Sequence, residues 1–304
     1  MLHGLHRRGT ARLATFLLLP ALTGLLVFYY VPVVQSALLS LFDLRFSLTP
    51  TGESFLGLGN YGRALASAEF ARALGFTLVF AVCAVTLDLT LGMLFALATF
   101  WVDRRLRNVL RAIIIIPWAI PNVIQASIWR WLFNTDVGLV GDILVRTGIA
   151  ASPPLFLANA GLAFVAMIWA YVWKGASISA IFCMAGLATV PRELQEAARM
   201  DGAGALRRFF SITVPTMLPV LVVALIFRSR DALRVFDLVF GLTRGGPGGA
   251  TETLSSITYK TYFSFNQYGL GSAYAIISFV LIFSVAVAYL GRVRGKLSAE
   301  GDTL

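Results

Sequence analysis

Cysteine and histidine are nearly absent from this chain, with two of each in 304 residues. Cys83 and Cys183 each lie inside an apolar run, where a thiol packs as a small hydrophobe, so no disulfide framework is available. His3 and His6 fall in the leading polar tail with no Cys, Asp or Glu at ligand spacing, which argues against a metal centre. Charge is scarce as well: 13% of residues, against about a quarter in a soluble domain. With 58% hydrophobic residues, the composition excludes an ordinary soluble fold and points to an all-α polytopic membrane protein. Acidic residues are the scarcer sign, 15 against 25 basic, leaving a net charge of +10. The basic residues cluster in short loops beside apolar runs, the pattern of membrane topology, so no nucleic-acid partner is implied.

Also missing is any Gly-x-x-x-x-Gly-Lys-Ser/Thr, so the chain has no phosphate-cradling loop of its own. Gly57-Leu-Gly-Asn-Tyr-Gly62 matches the dinucleotide fingerprint formally. No strand is expected before it and no βαβ unit around it, so the match is read as accidental.

What the chain does have is long apolar runs, from about 13 to 34, 73 to 100, 109 to 132, 157 to 187, 217 to 242 and 270 to 290. Each reaches the roughly 20 residues that cross a bilayer. The first has no small-residue cleavage site and is read as a retained helix after a basic lead-in. Polar, turn-rich stretches at 42–70 and 134–157 separate the runs, and 243–268, opening Thr-Arg-Gly-Gly-Pro-Gly-Gly, is expected to be a flexible loop. One side of the predicted topology collects Arg7, Arg8, Arg12, Arg104, Arg105, Arg107, Arg111, Arg192, Arg199, Arg207, Arg208, Arg292, Arg294 and Lys296. The other holds Arg45, Arg63, Arg72, Arg146, Arg244 and Lys260. The first side therefore faces the cytoplasm, with both termini inside.

Polar groups at membrane depth stand out against this background. Arg228, Arg230, Asp231, Arg234 and Asp237 lie in the fifth run, and a charge at the bilayer centre costs about 2.5–3.5 kcal/mol. The signs alternate at i,i+3 from Arg228 to Asp237, so neighbours can pair along a helix. They form either a structural ion-pair ladder or a translocation cavity in which Asp231 and Arg234 meet substrate hydroxyls. In the third run Asn122 and Gln125 lie one turn apart beside Trp118, where Pro117 and Pro121 can free backbone carbonyls. In the fourth, Tyr171, Lys174, Gly175 and Ile178 recur at helical spacing. Aromatic faces with planar amides and charges suit a sugar, whose ring faces stack and whose hydroxyls need partners. Each of these residues is equally compatible with helix packing.

The stretch 191–219 is the one long polar, helix-forming and basic segment. Pro191 can open a helix at its first turn, and residues 193–199 favour helix. Asp201-Gly202 breaks it, with Asp201 placed to cap a second helix whose apolar stripe is Leu206, Phe209, Phe210 and Ile212. Glu196-Ala-Ala, Asp201-Gly-Ala, Phe209, Ile212, Pro215 and Pro219 resemble the cytoplasmic EAA loop of ABC importer permeases. With the third span and the Gly-Gly-Pro after the fifth, about residues 70–292 resemble the maltose/trehalose-type sugar permeases of the binding-protein-dependent transport family.

The resemblance implies a type I ABC importer (MetI-like) fold of six transmembrane helices in a bacterial cytoplasmic (inner) membrane. Residues 1–41 would be a basic tail and first helix, 70–292 the core with coupling loop 191–214, and 293–304 a cytoplasmic tail. Function would be uptake of a di- or oligosaccharide, such as trehalose or maltose, from a solute-binding protein by alternating access. The chain itself would be no enzyme and hold no cofactor. ATP and Mg would be bound by two ATP-binding cassette subunits, and a second permease subunit would complete the pore. Trp118, Asn122, Gln125, Tyr171, Lys174, Gly175, Ile178, Asp231, Ala232, Arg234 and Val235 would line the substrate path. Glu196, Ala197, Ala198, Asp201, Gly202, Ala203 and Phe209 would couple to the ATPase. Lys174, Asp231 and Arg234 are charged where the maltose subunit is apolar or amidic, which counts against maltose itself; the alternative is the same importer class carrying glycerol phosphate, an oligopeptide or a polyamine, and the Arg-rich fifth span also suits an anionic substrate such as a sugar phosphate. A membrane-embedded enzyme such as a lipid transferase would need a His/Asp/Glu constellation at the interface, and the sequence shows none.

Overall fold

A computed structural model describes residues 16–45, 54–100 and 102–301. His3, His6, Arg7, Arg8 and Arg12 lie outside the described residues. In chain order the elements are α1 (Phe16–Leu39), β1 (Phe42–Asp43), β2 (Ser54–Phe55), α2 (Gly59–Ala66), α3 (Ala68–Phe100) and α4 (Arg104–Ala119). Then come α5 (Asn122–Leu132), α6 (Leu139–Arg146), α7 (Ala160–Leu187), α8 (Arg192–Met200), α9 (Ala205–Leu233), α10 (Asp237–Leu242), α11 (Leu254–Tyr259) and α12 (Tyr268–Gly301). Among the described residues five helices are long and apolar enough to cross a membrane: α1, α3, α7, α9 and Tyr268–Tyr289 of α12. The pair α4–α5 makes six if it is one span, but it is bent by 94°.

The chain divides into two compact units, Met1–Ser67 with Thr258–Ser278 and Ala68–Ile257 with Phe279–Leu304. In the first, the stretch expected to be loop carries a two-residue antiparallel hairpin, Phe42 opposite Phe55, followed by α2. A short strand therefore does precede Gly57, contrary to expectation, but it is one arm of a hairpin and makes no βαβ unit. Asn60 explains the local sequence better than a nucleotide would: its buried amide donates to the carbonyls of Ser40 at 2.9 Å and Phe42 at 2.8 Å. The Tyr61 hydroxyl meets Ser40 Oγ at 2.7 Å. These bonds tie the end of α1 to the hairpin. Outside the membrane, burial pushes the Asp43 carboxyl up, yet the Arg45 and Arg63 guanidiniums hold it below its ordinary value.

In the second unit α3 and α7 approach most closely, and small residues permit it. A Cβ at Gly92 would stand 2.5 Å from Ser179 Cβ and 2.7 Å from its carbonyl carbon. Ala84, Ala96, Ala176, Ala180 and Cys183 are buried on the same two helices. Lipid tails are as apolar as the side chains, so close van der Waals packing, rather than water exclusion, holds such helices together. Above this seam an aromatic core gathers Phe80, Trp129, Phe133 and Phe156 with Met167 and Leu242. The segment 134–157 is not wholly loop, since α6 occupies part of it.

Two departures from the expected spans shape everything that follows. The third span breaks because Pro121 has no N–H and forces the preceding residue out of helical conformation, and Ile120 accordingly takes φ −75°, ψ 127°. The fifth span stops at Leu233, and α10 begins a new direction at Asp237. Thr253 Oγ donates to the freed Val235 carbonyl at 3.0 Å. The segment after α10, expected to be flexible, is densely bonded: Thr251 and Thr253 are fully buried, and Thr251 Oγ lies 2.8 Å from Thr243 Oγ and 2.6 Å from the Gly246 carbonyl.

Candidate functional site

The two breaks face one another across a cavity of about 510 Å³. Nine of the eleven residues expected on the substrate path line it: Trp118, Asn122, Gln125, Tyr171, Lys174, Gly175, Asp231, Arg234 and Val235. Ile178 and Ala232 do not. Ala232 is fully buried against Ala81, Val85 and Leu233, because the expected helical register carries it to the α3 side. The lining gains Arg228, Phe236, Asp237 and Leu238.

The elbow at Ile120–Pro121 leaves a carbonyl without a helical partner, and Lys174 on α7 supplies one. Its ammonium donates to the Ile120 carbonyl at 2.6 Å and also to Asn122 Oδ1. Asn122 in turn donates through Nδ2 to Asp237 at 3.0 Å, reaching the start of α10. Gln125 donates to the Ala170 carbonyl at 2.5 Å and is buried. Four elements are thus stitched around the cavity wall, and Lys174 is spent largely on the scaffold. Trp118, 52% exposed, remains open at the rim.

The floor is ionic. Asp88 on α3 is fully buried and pairs with Arg228 Nε of α9, while Ser179 Oγ donates to the same carboxylate oxygen at 3.0 Å. Arg228 Nη1 lies 3.4 Å from Asp231 Oδ2, and its guanidinium sits over the Tyr171 ring at 5.1 Å. Gly175 is required here: a Cβ would collide with Arg228 Nη2 and stand 2.7 Å from Asp88 Oδ1. The expected ladder is therefore only half built. Arg228–Asp231 forms, Arg230 joins Asp231 at 3.0 Å, and the helix ends before Arg234 can continue the row. Among the described residues Arg234 makes no ion pair. The sequence did hold a signal for the missing partner, because a carboxylate buried at membrane depth, as at Asp88, demands a cation. Phe236 and Leu238 left no signal, since only the break after Leu233 turns them inward.

A second site is the surface knob. Helix α8 ends in a glycine turn: Gly202 takes φ +76°, Ala203 N–H bonds the Ala198 carbonyl at 2.9 Å and Gly202 N–H the Arg199 carbonyl at 3.0 Å. This paired pattern satisfies the helix's last carbonyls. Two details differ from expectation. Pro191 precedes the first helical residue, and Asp201 ends α8 without capping the next helix, whose boundary residue is Gly204. Nor is the second helix separate: it continues through a π-helical stretch at Phe209–Thr213 into the fifth span. Glu196, Ala197, Asp201 and Gly202 are exposed, and Ala198, Ala203 and Phe209 are half-buried. Gln195 Nε2 donates to Thr213 Oγ1 at 3.0 Å, fastening the knob to the root of α9. Met200 and Leu206 stand 88% and 76% exposed, apolar side chains held out on a polar helix pair.

Residues 88–293 match the family described as binding-protein-dependent transport system inner membrane component. The chain is 43% identical over 289 residues to the trehalose/maltose transport system permease protein MalF of Thermococcus litoralis, covering 93% of this chain and 95% of that one. It is 35% identical over 288 residues to the sulfoquinovosyl glycerol transport system permease protein SmoG of Agrobacterium fabrum, covering 95% and 92%. Among solved structures, a bacterial ABC transporter involved in the import of the acidic polysaccharide alginate has a chain that superimposes with a TM-score of 0.81, at 22% identity over 96% of this chain and 98% of that one. That likeness is one of fold.

Proposed function

The chain belongs to the binding-protein-dependent transport system inner membrane component family, and from that premise we propose that it is a permease subunit of an ATP-driven importer of a sugar, a di- or oligosaccharide. The observation that carries the cargo is the lining of the cavity. An exposed indole, Trp118, offers a face to a sugar ring, and Asn122, Asp231, Arg234 and Asp237 offer acceptors and donors to its hydroxyls. The names of the two sugar-transporting relatives support the same class.

In this reading the excess of basic residues places both termini and the 191–214 knob in the cytoplasm. A second homologous permease completes the pore, and an extracytoplasmic solute-binding protein delivers the sugar. Two ATP-binding cassette subunits hold ATP and Mg, and each docks one knob. Closure of the ATPase pair moves the knobs together. Because α9 runs unbroken from the knob to Arg228 and Asp231, and Gln195 ties α8 to it, that motion reaches the cavity floor as a rigid-body displacement of α9. The cavity then alternates between the two faces of the membrane.

The test is reconstitution of this chain with its companion permease and ATPase in proteoliposomes, with uptake measured from a panel of ligand-loaded binding proteins. ATP-dependent uptake of a di- or oligosaccharide is expected. An assembly that carries only peptides or polyamines would discard the sugar and keep the importer, and failure to assemble with any ATPase would discard the importer.

A further inference from the structure

The cavity floor contains a charge pair whose arrangement bears on which sugars the site accepts. Asp88 is fully buried, on α3, and does not line the cavity; Arg228, on α9, does. The carboxylate takes Arg228 through Nε, the inner edge of the guanidinium, and Ser179 donates to the same oxygen at 3.0 Å. Tyr171 supports the guanidinium plane from one side at 5.1 Å. The outer edge is what remains. Nη1 has Asp231 Oδ2 at 3.4 Å, a long contact to a carboxylate whose other oxygen, Oδ1, holds Arg230 at 3.0 Å, and Nη2 has no acceptor among the described residues. Nη2 lies against Gly175, where the absence of a side chain leaves the cavity open to it.

We propose that Asp88 is a positioning residue that presents Arg228 to the cavity as a charge-cancelled donor fork, so that the site takes an uncharged polyol rather than an anionic sugar. The inference rests on the importer reading above. A guanidinium offers parallel N–H groups in fixed geometry, which fits vicinal hydroxyl oxygens as well as it fits an acid. What separates the two ligands is the field. With Asp88 in contact, Arg228 contributes donors with little net attraction for an anion, and Asp231 and Asp237 on the wall repel one. Lys174 keeps its charge, because the Ile120 carbonyl and Asn122 that it donates to are neutral, and on the wall it and Arg234 are balanced by Asp231 and Asp237.

The experiment uses the full transporter in proteoliposomes and a double-variant cycle of Asp88→Asn and Arg228→Gln. Uptake of the sugar carried by the wild type is measured as KM and kcat for the ligand-loaded binding protein, beside ATPase activity without ligand. Asp88→Asn keeps the shape of the carboxylate but frees the guanidinium, and is expected to lower kcat at least tenfold. Arg228→Gln is expected to do the same, and the double variant to be no worse than either alone, because the two residues act as one unit. If the losses multiply in the double variant, or if Asp88→Asn transports normally, Asp88 does not act through Arg228. Should Asp88→Asn fail to assemble, rescue of assembly by the double variant supports the pair and its absence overturns it. A wild type that carries only acidic sugars overturns the inference while leaving the importer intact, and a wild type that carries no sugar overturns the reading on which it rests.

Discussion

Substitution of Gly202 separates backbone geometry from side-chain contact. Gly202 holds φ +76° at the end of α8, and a Cβ built there meets nothing within 4 Å. Steric collision is thus excluded within the chain, and the cost is conformational alone. A non-glycine residue in the left-handed region costs roughly 1–2 kcal/mol, less for Asn and up to about 3 kcal/mol for a β-branched residue. At 1.4 kcal/mol per tenfold change, the equilibrium constant for forming the turn should fall little in Gly202→Asn, about tenfold in Gly202→Ala and about a hundredfold in Gly202→Val. The two bonds that depend on it, Ala203 to Ala198 and Gly202 to Arg199, fray in the same order. The expected readout is sugar transported per ATP hydrolysed in proteoliposomes, falling in the order glycine, Asn, Ala, Val while the membrane spans keep their thermal stability. Equal damage by Asn and Val would show that the partner, not the turn, rejects the side chain. An unaffected Gly202→Val would refute the coupling role of the knob altogether.

Other consequences are simpler to state. Gly92→Leu places atoms where Ser179 Cβ and its backbone stand within 3 Å of the added Cβ, so α3 and α7 must separate, at about 1–3 kcal/mol or more. The detergent-solubilised protein should melt several degrees lower, with Gly92→Ala intermediate; unchanged melting would contradict the seam. Lys174→Met removes a charge-assisted donor from the Ile120 carbonyl, worth about 1.5–3 kcal/mol, and should widen the α4–α5 elbow as read by spin-label distances across it. An unchanged distance would mean that Pro121 alone holds the bend. Asp43→Asn should cost under about 1 kcal/mol, because its partners Arg45 and Arg63 are 49% and 44% exposed. The folded Asp43 is more acidic than the unfolded one, so its stabilisation is present above the ordinary 3.8 and lost as pH falls through the lowered folded value. An acid limb of unfolding unchanged in the variant would show that the pair contributes nothing.

Much of this protein is legible in its amino-acid order alone. Composition alone required membrane helices, since a chain with so little charge cannot cover a soluble surface. Local chemistry placed the knob as well: only glycine is cheap at a left-handed helix end, and Gly202 is where the polar helix stops. Most of the cavity lining could be named one residue at a time, because polar groups at membrane depth are costly and mark either a cavity or a contact between helices. What the chain order could not provide was pairing across distance. Lys174 reads as a free cation until the elbow brings the Ile120 carbonyl to it, and that contact spans 54 positions. Arg228 reads as the first rung of a local ladder until α3 delivers Asp88 from 140 positions away. Periodicity describes one helix at a time. Which helix it meets, and which charge cancels which, is decided by packing at small residues such as Gly92 and Gly175, where the absence of a side chain lets two backbones approach closely enough for the pair to form.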